Sequence, residues 1–430
     1  MKRISIALVA GLTAVAAWTM PAPEEAVGLI DELPPPVTAD RSGVWFCPGV
    51  DGEVDPIFLA GVLSPGLVGF SLPVDGEIFD SFQNRVAAGV GEWDVGDGLF
   101  FHPGPAIVET SSTPSAAAVL YRSPERLAAG GCYVAAKEWY LNGAGIGTSE
   151  TLTLRLFNPL LEQGRVSLEV ISEFGFEPLL DYESVSIEPR SWEDVALHLL
   201  LGDREQVSVR VTVTEGVVIP GLHAVGADGL AVWPGESPSP TWEFPLAQVG
   251  GTPGTLSVWN PGTEAADITI ELVGRQGPLG LFDLTLGPGR EERFDLSAVT
   301  SLEAAAVIRS SVAIMATVRS GGPGGGAAAS VGVPRPVERW LVPGHAVVPD
   351  VGSFLFVLNS ADDPVEVSAG PIGGEAGAPV TVSGHSIARI SVSGRGADIT
   401  ASAPVSVAWL VASPTDTGLG LGVPITAPSP

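Results

Sequence analysis

The chain has 430 residues, enough for two to four domains, and 45% of them are hydrophobic, too many for a solvated coil. Charged residues make up only 16%, while 54 Gly and 38 Pro accompany abundant Val, Leu and Ala, a mixture that suits short strands joined by tight turns. A formal net charge of −28 with only two lysines repels phosphate backbones and anionic headgroups, which excludes nucleic acid as a partner.

Met1-Lys2-Arg3, an apolar run from Ile4 to about Trp18 and the Pro-rich stretch from Pro21 have the layout of an export signal. The run is shorter than the roughly twenty residues of a spanning helix. Residues 1–22 are therefore a signal peptide or an uncleaved signal anchor, followed by a linker over 23–42. The expected location is extracellular or at the cell surface, with membrane contact only through this first segment.

Beyond the linker, one phrase recurs four times at a spacing of roughly a hundred residues: a Trp, then about nineteen residues later Asn-Pro or a relic of it. Trp45 leads to Ser64-Pro65, Trp139 to Asn158-Pro159, Trp242 to Asn260-Pro261 and Trp340 to Asn359-Ser360. Such a period denotes similar modules, with boundaries near 43–135, 136–237, 238–336 and 337–430. The first module is the most divergent, carrying Phe79–Arg85 and the Gly- and Asp-rich Gly91–Gly98 after Ser64-Pro65.

In the exported setting, Cys47 and Cys132 are most simply one disulfide joining the first and last strands of the first module; two free thiols are the alternative.

The second module alternates polar and apolar residues over Thr151–Phe157, Arg165–Ile171 and Gln206–Thr214, the period of strands with one buried face. Shorter strands are expected at Ser184–Glu188 and Ser191–Leu197, and a single helical turn at Leu197–Gly202. The third module repeats the order with 255–259, 267–273, 282–286, 292–296 and 305–308, and the fourth with 353–358, 365–367, 379–383, 387–392 and 405–411. Pro234–Pro240 reads as a stiff connector, and Gly321–Gly326 as a hairpin loop between two late strands.

About seven short strands per hundred residues define the expected fold: all-β, a tandem array of four immunoglobulin-like antiparallel β-sandwich modules after an N-terminal signal or anchor helix. Sandwiches held end to end are the expected arrangement, although the sequence does not fix a rod over a closed cluster.

With the repeat established, the chain resembles the secreted actinobacterial family called domain of unknown function 5719. The resemblance rests on Trp139-Tyr-Leu-Asn-Gly leading into Leu152-Thr-Leu-Arg-Leu-Phe-Asn-Pro159 and extends over roughly 43–424. Ser64 and Ser360 depart from its Asn-Pro phrase. It implies an exported envelope or extracellular protein and supplies no catalytic residues.

Trp45, Trp139, Trp242 and Trp340, with Asn158, Pro159, Asn260, Pro261 and Asn359, are expected to be structural. Trp93 and Trp192 lie outside the repeat and are candidate platforms for stacking on sugars. Gly384-His-Ser-Ile-Ala388 falls one residue short of a nucleophile elbow and leads into strand-like residues, so Ser386 is a weak catalytic candidate. The five histidines have no metal-ligand spacing, and the acidic loops at Asp51–Asp55, Asp94–Asp97 and Asp362-Asp363 lack EF-hand spacing. No metal, cofactor or catalytic residue is expected.

The expected function is that of a non-catalytic scaffold or interaction protein whose partner is an unknown envelope protein. A carbohydrate-recognising accessory protein for cell-wall glycans is the alternative. A hydrolase using Asp94 and Asp97 comes third.

Overall fold

The computed structural model describes residues 43–50, 54–74, 77–95, 104–123, 125–147, 150–227, 229–321, 327–348, 351–414 and 416–425. The chain divides into Met1–Pro36 and Val37–Pro430, and every described residue belongs to the second unit. The expected signal and the Pro-rich linker lie outside the described residues.

The second unit is all-β and built from antiparallel sheets. Residues 43–135 hold β1 (Val44–Cys47), β2 (Asp55–Val62), β3 (Gly66–Val74), β4 (Glu77–Val86), β5 (Gly89–Asp94), β6 (Ala106–Thr110), β7 (Ser115–Arg122) and β8 (Leu127–Gly131). They pair as β1-β6-β3-β4 and β5-β2-β7-β8.

Residues 136–237 hold β9 (Glu138–Ile146), β10 (Thr151–Asn158), β11 (Gly164–Ser172), β12 (Gly175–Glu177), β13 (Val185–Ile187) and β14 (Ser191–Ala196). The five-residue helix α1 (Leu197–Leu201) follows, then β15 (Arg204–Glu215), β16 (Ile219–Gly226) and β17 (Gly229–Pro234). Their sheets are β12-β11-β15-β9 and β14-β10-β16-β17.

Residues 238–336 hold β18 (Ser239–Gln248), β19 (Gly254–Trp259), β20 (Ala266–Gly274), β21 (Gly277–Leu286), β22 (Glu291–Asp295), β23 (Ala304–Gly321) and β24 (Ala327–Val331). Residues 337–430 hold β25 (Val337–Val342), β26 (Gly352–Asn359), β27 (Val365–Gly370), β28 (Val380–Val382), β29 (Ser386–Ile390), β30 (Ala397–Ala412), β31 (Thr417–Leu421) and β32 (Val423–Ile425).

Two of these strands are far longer than the sequence pattern predicts, because each serves two sheets. The first half of β23 pairs with β18 and β20, and its second half with β19 and β24. β30 divides likewise between β25 and β27 and then β26 and β31. The polar Arg309-Ser-Ser at the changeover interrupts the apolar alternation and hides the continuity in the sequence. In the two earlier segments the same path is broken in two, as β6 then β7 and as β15 then β16.

Apolar alternation explains which faces close. Val207, Val209 and Val211 of β15 are wholly buried with Leu152, Leu154 and Leu156 of β10 in one core. Each such side chain contributes roughly 1.5–3 kcal/mol on burial. The 234–240 stretch, expected as a stiff connector, is also tied to the second segment, since Glu236 exchanges backbone hydrogen bonds with Tyr140. β23 and β24 pair antiparallel up to Gly321 and Ala327, and the Gly-rich loop expected between them, 322–326, lies outside the described residues.

Ile57, Leu59 and Leu120 of the first segment share a core with Trp340, Val357 and Val407 of the fourth, so the first and last segments meet. At the centre, β8 packs on β17 and β31, and β24 packs on β17 and β31. β8, β17, β24 and β31, one from each segment, therefore close a ring, rather than an end-to-end array. Small residues make this approach feasible: a Cβ on Gly418 would lie 2.6 Å from the Ala129 backbone N.

Candidate functional site

The repeated residues form two kinds of structural joint. Trp45, Trp139, Trp242 and Trp340 sit on equivalent strands, opposite Val108, Val211, Ile308 and Ile399, and all four are buried. The Trp242 indole N–H donates to the Ile314 carbonyl at 2.7 Å, and that of Trp340 to the Val405 carbonyl at 2.9 Å. Both carbonyls lie where the long strand passes from one sheet to the other, so the buried indole N–H finds its acceptor at that crossing. Trp45 donates to Ser115 Oγ at the corresponding place, 3.3 Å away.

Each Asn clamps the two sheets of its segment together. Asn260, fully buried, donates through Nδ2 to the carbonyls of Glu264 at 2.7 Å and Leu286 at 3.0 Å, while its Oδ1 accepts from Gly262 N–H at 3.0 Å. Asn158 does the same with Glu162, Ile187, Glu188 and Leu160, and Asn359 with Asp363, Val382, Ser383 and Ala361. The position needs an acceptor and two donors on one short side chain, which Asn alone provides. Pro159 is buried and Pro261 half-buried in the turns that follow. Cys47 and Cys132 form a disulfide closing a sequence separation of 85.

Trp93 and Trp192 are engaged by neighbours. Trp93 lies 6.1 Å from both Phe70 and Phe82 and 6.3 Å from Phe58, with Phe82 stacked on it at the sheet rim. The Trp192 ring carries the Arg155 guanidinium 5.3 Å from its centroid. Arg155 also makes a two-pronged ion pair with Asp194, at 2.7 and 2.6 Å, and donates to the Val50 carbonyl at 2.7 Å. It thereby joins the second segment to the first.

Buried acids at the junctions between segments escape sequence reasoning, because an isolated Glu or Asp reads as a surface residue. Glu291 accepts from Ser208 Oγ at 2.5 Å across the second and third segments. Glu243 accepts from Ser360 Oγ and Ser406 Oγ, each at 2.6 Å, across the third and fourth. Desolvation raises both carboxyls above their ordinary range, with the hydroxyls and nearby arginines pulling the other way. The departure of Ser360 from the Asn-Pro phrase was the one sequence signal: its hydroxyl is a partner of Glu243.

Asp416 is the central example. Its carboxylate accepts from Leu127 N–H and from Thr417 N–H, and the Ala327 N–H also faces it. A Cβ on Gly229, whose φ is +125°, would lie 2.9 Å from Asp416 Oδ1. One side chain thus touches all four central strands. Burial pushes its pKa up to about 6 despite these donors.

The histidines serve separate surroundings. His198 contacts the Leu152 carbonyl, buried His223 is pushed down to about 3 by desolvation, and His345 contacts Ser353 and the Val392 carbonyl. His385 lies between Glu271 and Asp362, while His102 falls outside the described residues. The Ser386 hydroxyl donates to the Ser383 carbonyl at 2.7 Å within a turn. Asp94 pairs with Arg122 at 3.1 Å, while Asp97 and Asp51 lie outside the described residues. Among the described residues, no three His, Cys, Asp or Glu side chains are grouped to hold a metal, and no helix is long and apolar enough to cross a membrane.

The model of a family of unknown function, DUF5719, matches residues 122–392, more than half of the chain, and the chain belongs to that family. The match is narrower than the 43–424 over which the repeat runs, and it leaves most of the divergent first segment outside. Among solved structures, the crystal structure of Thermotoga maritima 1070 is 15% identical, covering 22% of this chain and 94% of its own, with a TM-score of 0.21. A tetra-tandem repeat from the extending region of a large adhesion protein is 11% identical, covering 84% and 92%, with a TM-score of 0.09. Neither likeness is close enough to inform the fold or the function. No curated protein matches the chain.

Proposed function

We propose that the four segments are four immunoglobulin-like β-sandwich modules forming a non-catalytic scaffold or interaction protein, exported to the cell surface or beyond. The observation that carries this reading is a set of outward apolar side chains on two neighbouring segments. Phe174 is 78% exposed, Phe176 65% and Leu199 76% on the second, and Leu281 is 64% and Leu302 67% exposed on the third. Exposed apolar groups of this size on a rigid frame favour docking of another protein. The disulfide fits the oxidising compartment that export requires.

A glycan-binding reading is favoured by a different feature, the Phe82–Trp93 stack at the rim of the first segment. One capture experiment separates the two readings. The full chain is used to capture partners from native envelope, with and without prior cell-wall glycan hydrolysis, beside the Phe174→Ser/Leu199→Ser variant. Capture that survives hydrolysis and falls at least tenfold in the variant supports the protein scaffold. Capture that vanishes with the glycan and is untouched by the variant overturns it in favour of carbohydrate recognition.

A further inference from the structure

The junction between the third and fourth segments combines an apolar contact with an unusual set of charges. Val273, Ala305 and Val307 pack on Leu358 and Ile387. Around this patch the third segment supplies Glu243 on β18, Glu271 on β20 and Arg309 on β23. Glu243 and Glu271 are both in register with Val307. The fourth segment supplies Asp362 after β26 and His385 before β29, while β30 contributes the uncharged Ser406.

The geometry fixes the protonation that each group prefers. His385 directs Nδ1 at Glu271 Oε1, 3.0 Å away, and Nε2 at Asp362 Oδ1, 2.8 Å away. Both ring nitrogens face carboxylates, so both must donate, and the ring closes the junction as a cation. Arg309 lies 3.7 Å from Glu271 and completes a row of alternating charge. Glu243 is 6% exposed, and among the described residues its two oxygens meet hydroxyls at hydrogen-bond distance, those of Ser360 and Ser406. Serine can donate to an ionised carboxylate or accept from a protonated one, so this pocket tolerates the neutral acid.

We propose that this junction is a proton-operated latch, closed in acid by a charged His385 and a neutral Glu243, and loosened as both give up their protons. The two groups act with the same sign. Hydrogen bonding to Asp362, with the charge of Glu271, raises His385 above its ordinary value. Its contribution is complete below the unfolded value and is lost as pH rises through the folded one. Burial raises Glu243, so the junction binds its proton more readily than the unfolded chain does and weakens as pH rises through the folded value. His223 and His345, both lowered by burial, act with the opposite sign but lie outside this junction. A local readout therefore distinguishes the latch from general acid effects.

Hydrogen exchange of the full chain supplies that readout through protection factors of the Leu358–Asp362 and Ser386–Ile390 amides. Expected is at least tenfold greater protection at pH 5.5 than at pH 7.5, reduced below twofold in Glu243→Gln/His385→Asn. Asn is chosen because His385 has φ +47°, a backbone conformation that Asn tolerates. An equal pH dependence in the double variant, or none in the parent, overturns the latch. An NMR titration of His385 in the parent needs no variant: a midpoint above 6.5 supports the latch, and one below it overturns it.

Discussion

The carboxylate of Asp416 accepts a hydrogen bond from the backbone N–H of Leu127, 2.8 Å away and 289 residues earlier in the chain. That contact joins the last hairpin to the first segment's innermost strand, and it shows what kind of protein the repeat builds. The segments are coupled through buried polar contacts as well as apolar cores. Substitution at a junction should therefore disturb two neighbours at once.

Removal of this side chain should be costly. Asp416→Ala leaves the Leu127 and Thr417 amides without their acceptor in a buried site and should destabilise the chain by about 2–4 kcal/mol. Equilibrium denaturation measures the loss, and hydrogen exchange should show it at β8 and β31 together.

The same residue makes a pH prediction. Its folded value of about 6 exceeds the ordinary 3.8, so the folded chain holds a proton that the unfolded chain has released. Stability should fall as pH rises from about 4 through 6, by on the order of 2 kcal/mol. Asp416→Asn is the reference, because buried His223, neutral when folded, weakens the fold as pH falls below 6.5. The parent's stability relative to Asp416→Asn should therefore decline as pH rises across that window.

The Asn clamps should not tolerate an isosteric acid. Asn260→Asp directs an oxygen at the Glu264 and Leu286 carbonyls in place of a donor, and a loss of about 2–4 kcal/mol is expected. The bond that Gly262 N–H donates to the same side chain holds the turn, so local exchange at 260–264 and 286–290 should rise with the loss of stability.

Reduction of Cys47–Cys132 should act on the first segment. Releasing an 85-residue separation removes on the order of 4 kcal/mol on the chain-entropy account. Limited proteolysis after reduction should cut within 43–131 before any later segment.

Local pattern made much of this legible. Thr151–Phe157 and Gln206–Thr214 alternate cleanly, and they are strands β10 and β15. The recurrence of Asn158, Asn260 and Asn359 marked a structural position, but their distant acceptors lie 23 to 30 residues onward, where spacing carries no signal. Ring closure was harder still. The Ala- and Gly-rich β8 reads as a weak strand until Gly418 and Asp416 are seen against it. Glu243 and His385 look like solvated residues until the third and fourth segments are seen against each other.

Closure of the ring is tested most directly by one distance within the chain. Glu92 of the first segment and Arg395 of the fourth form an ion pair. Spin labels at Glu92→Cys and Arg395→Cys should give a single narrow distance of no more than about 25 Å, set by the reach of two labels on touching side chains and two compact neighbours. An open array of four such units would separate the first and last by about 100 Å, and a distribution centred there would contradict the closed ring.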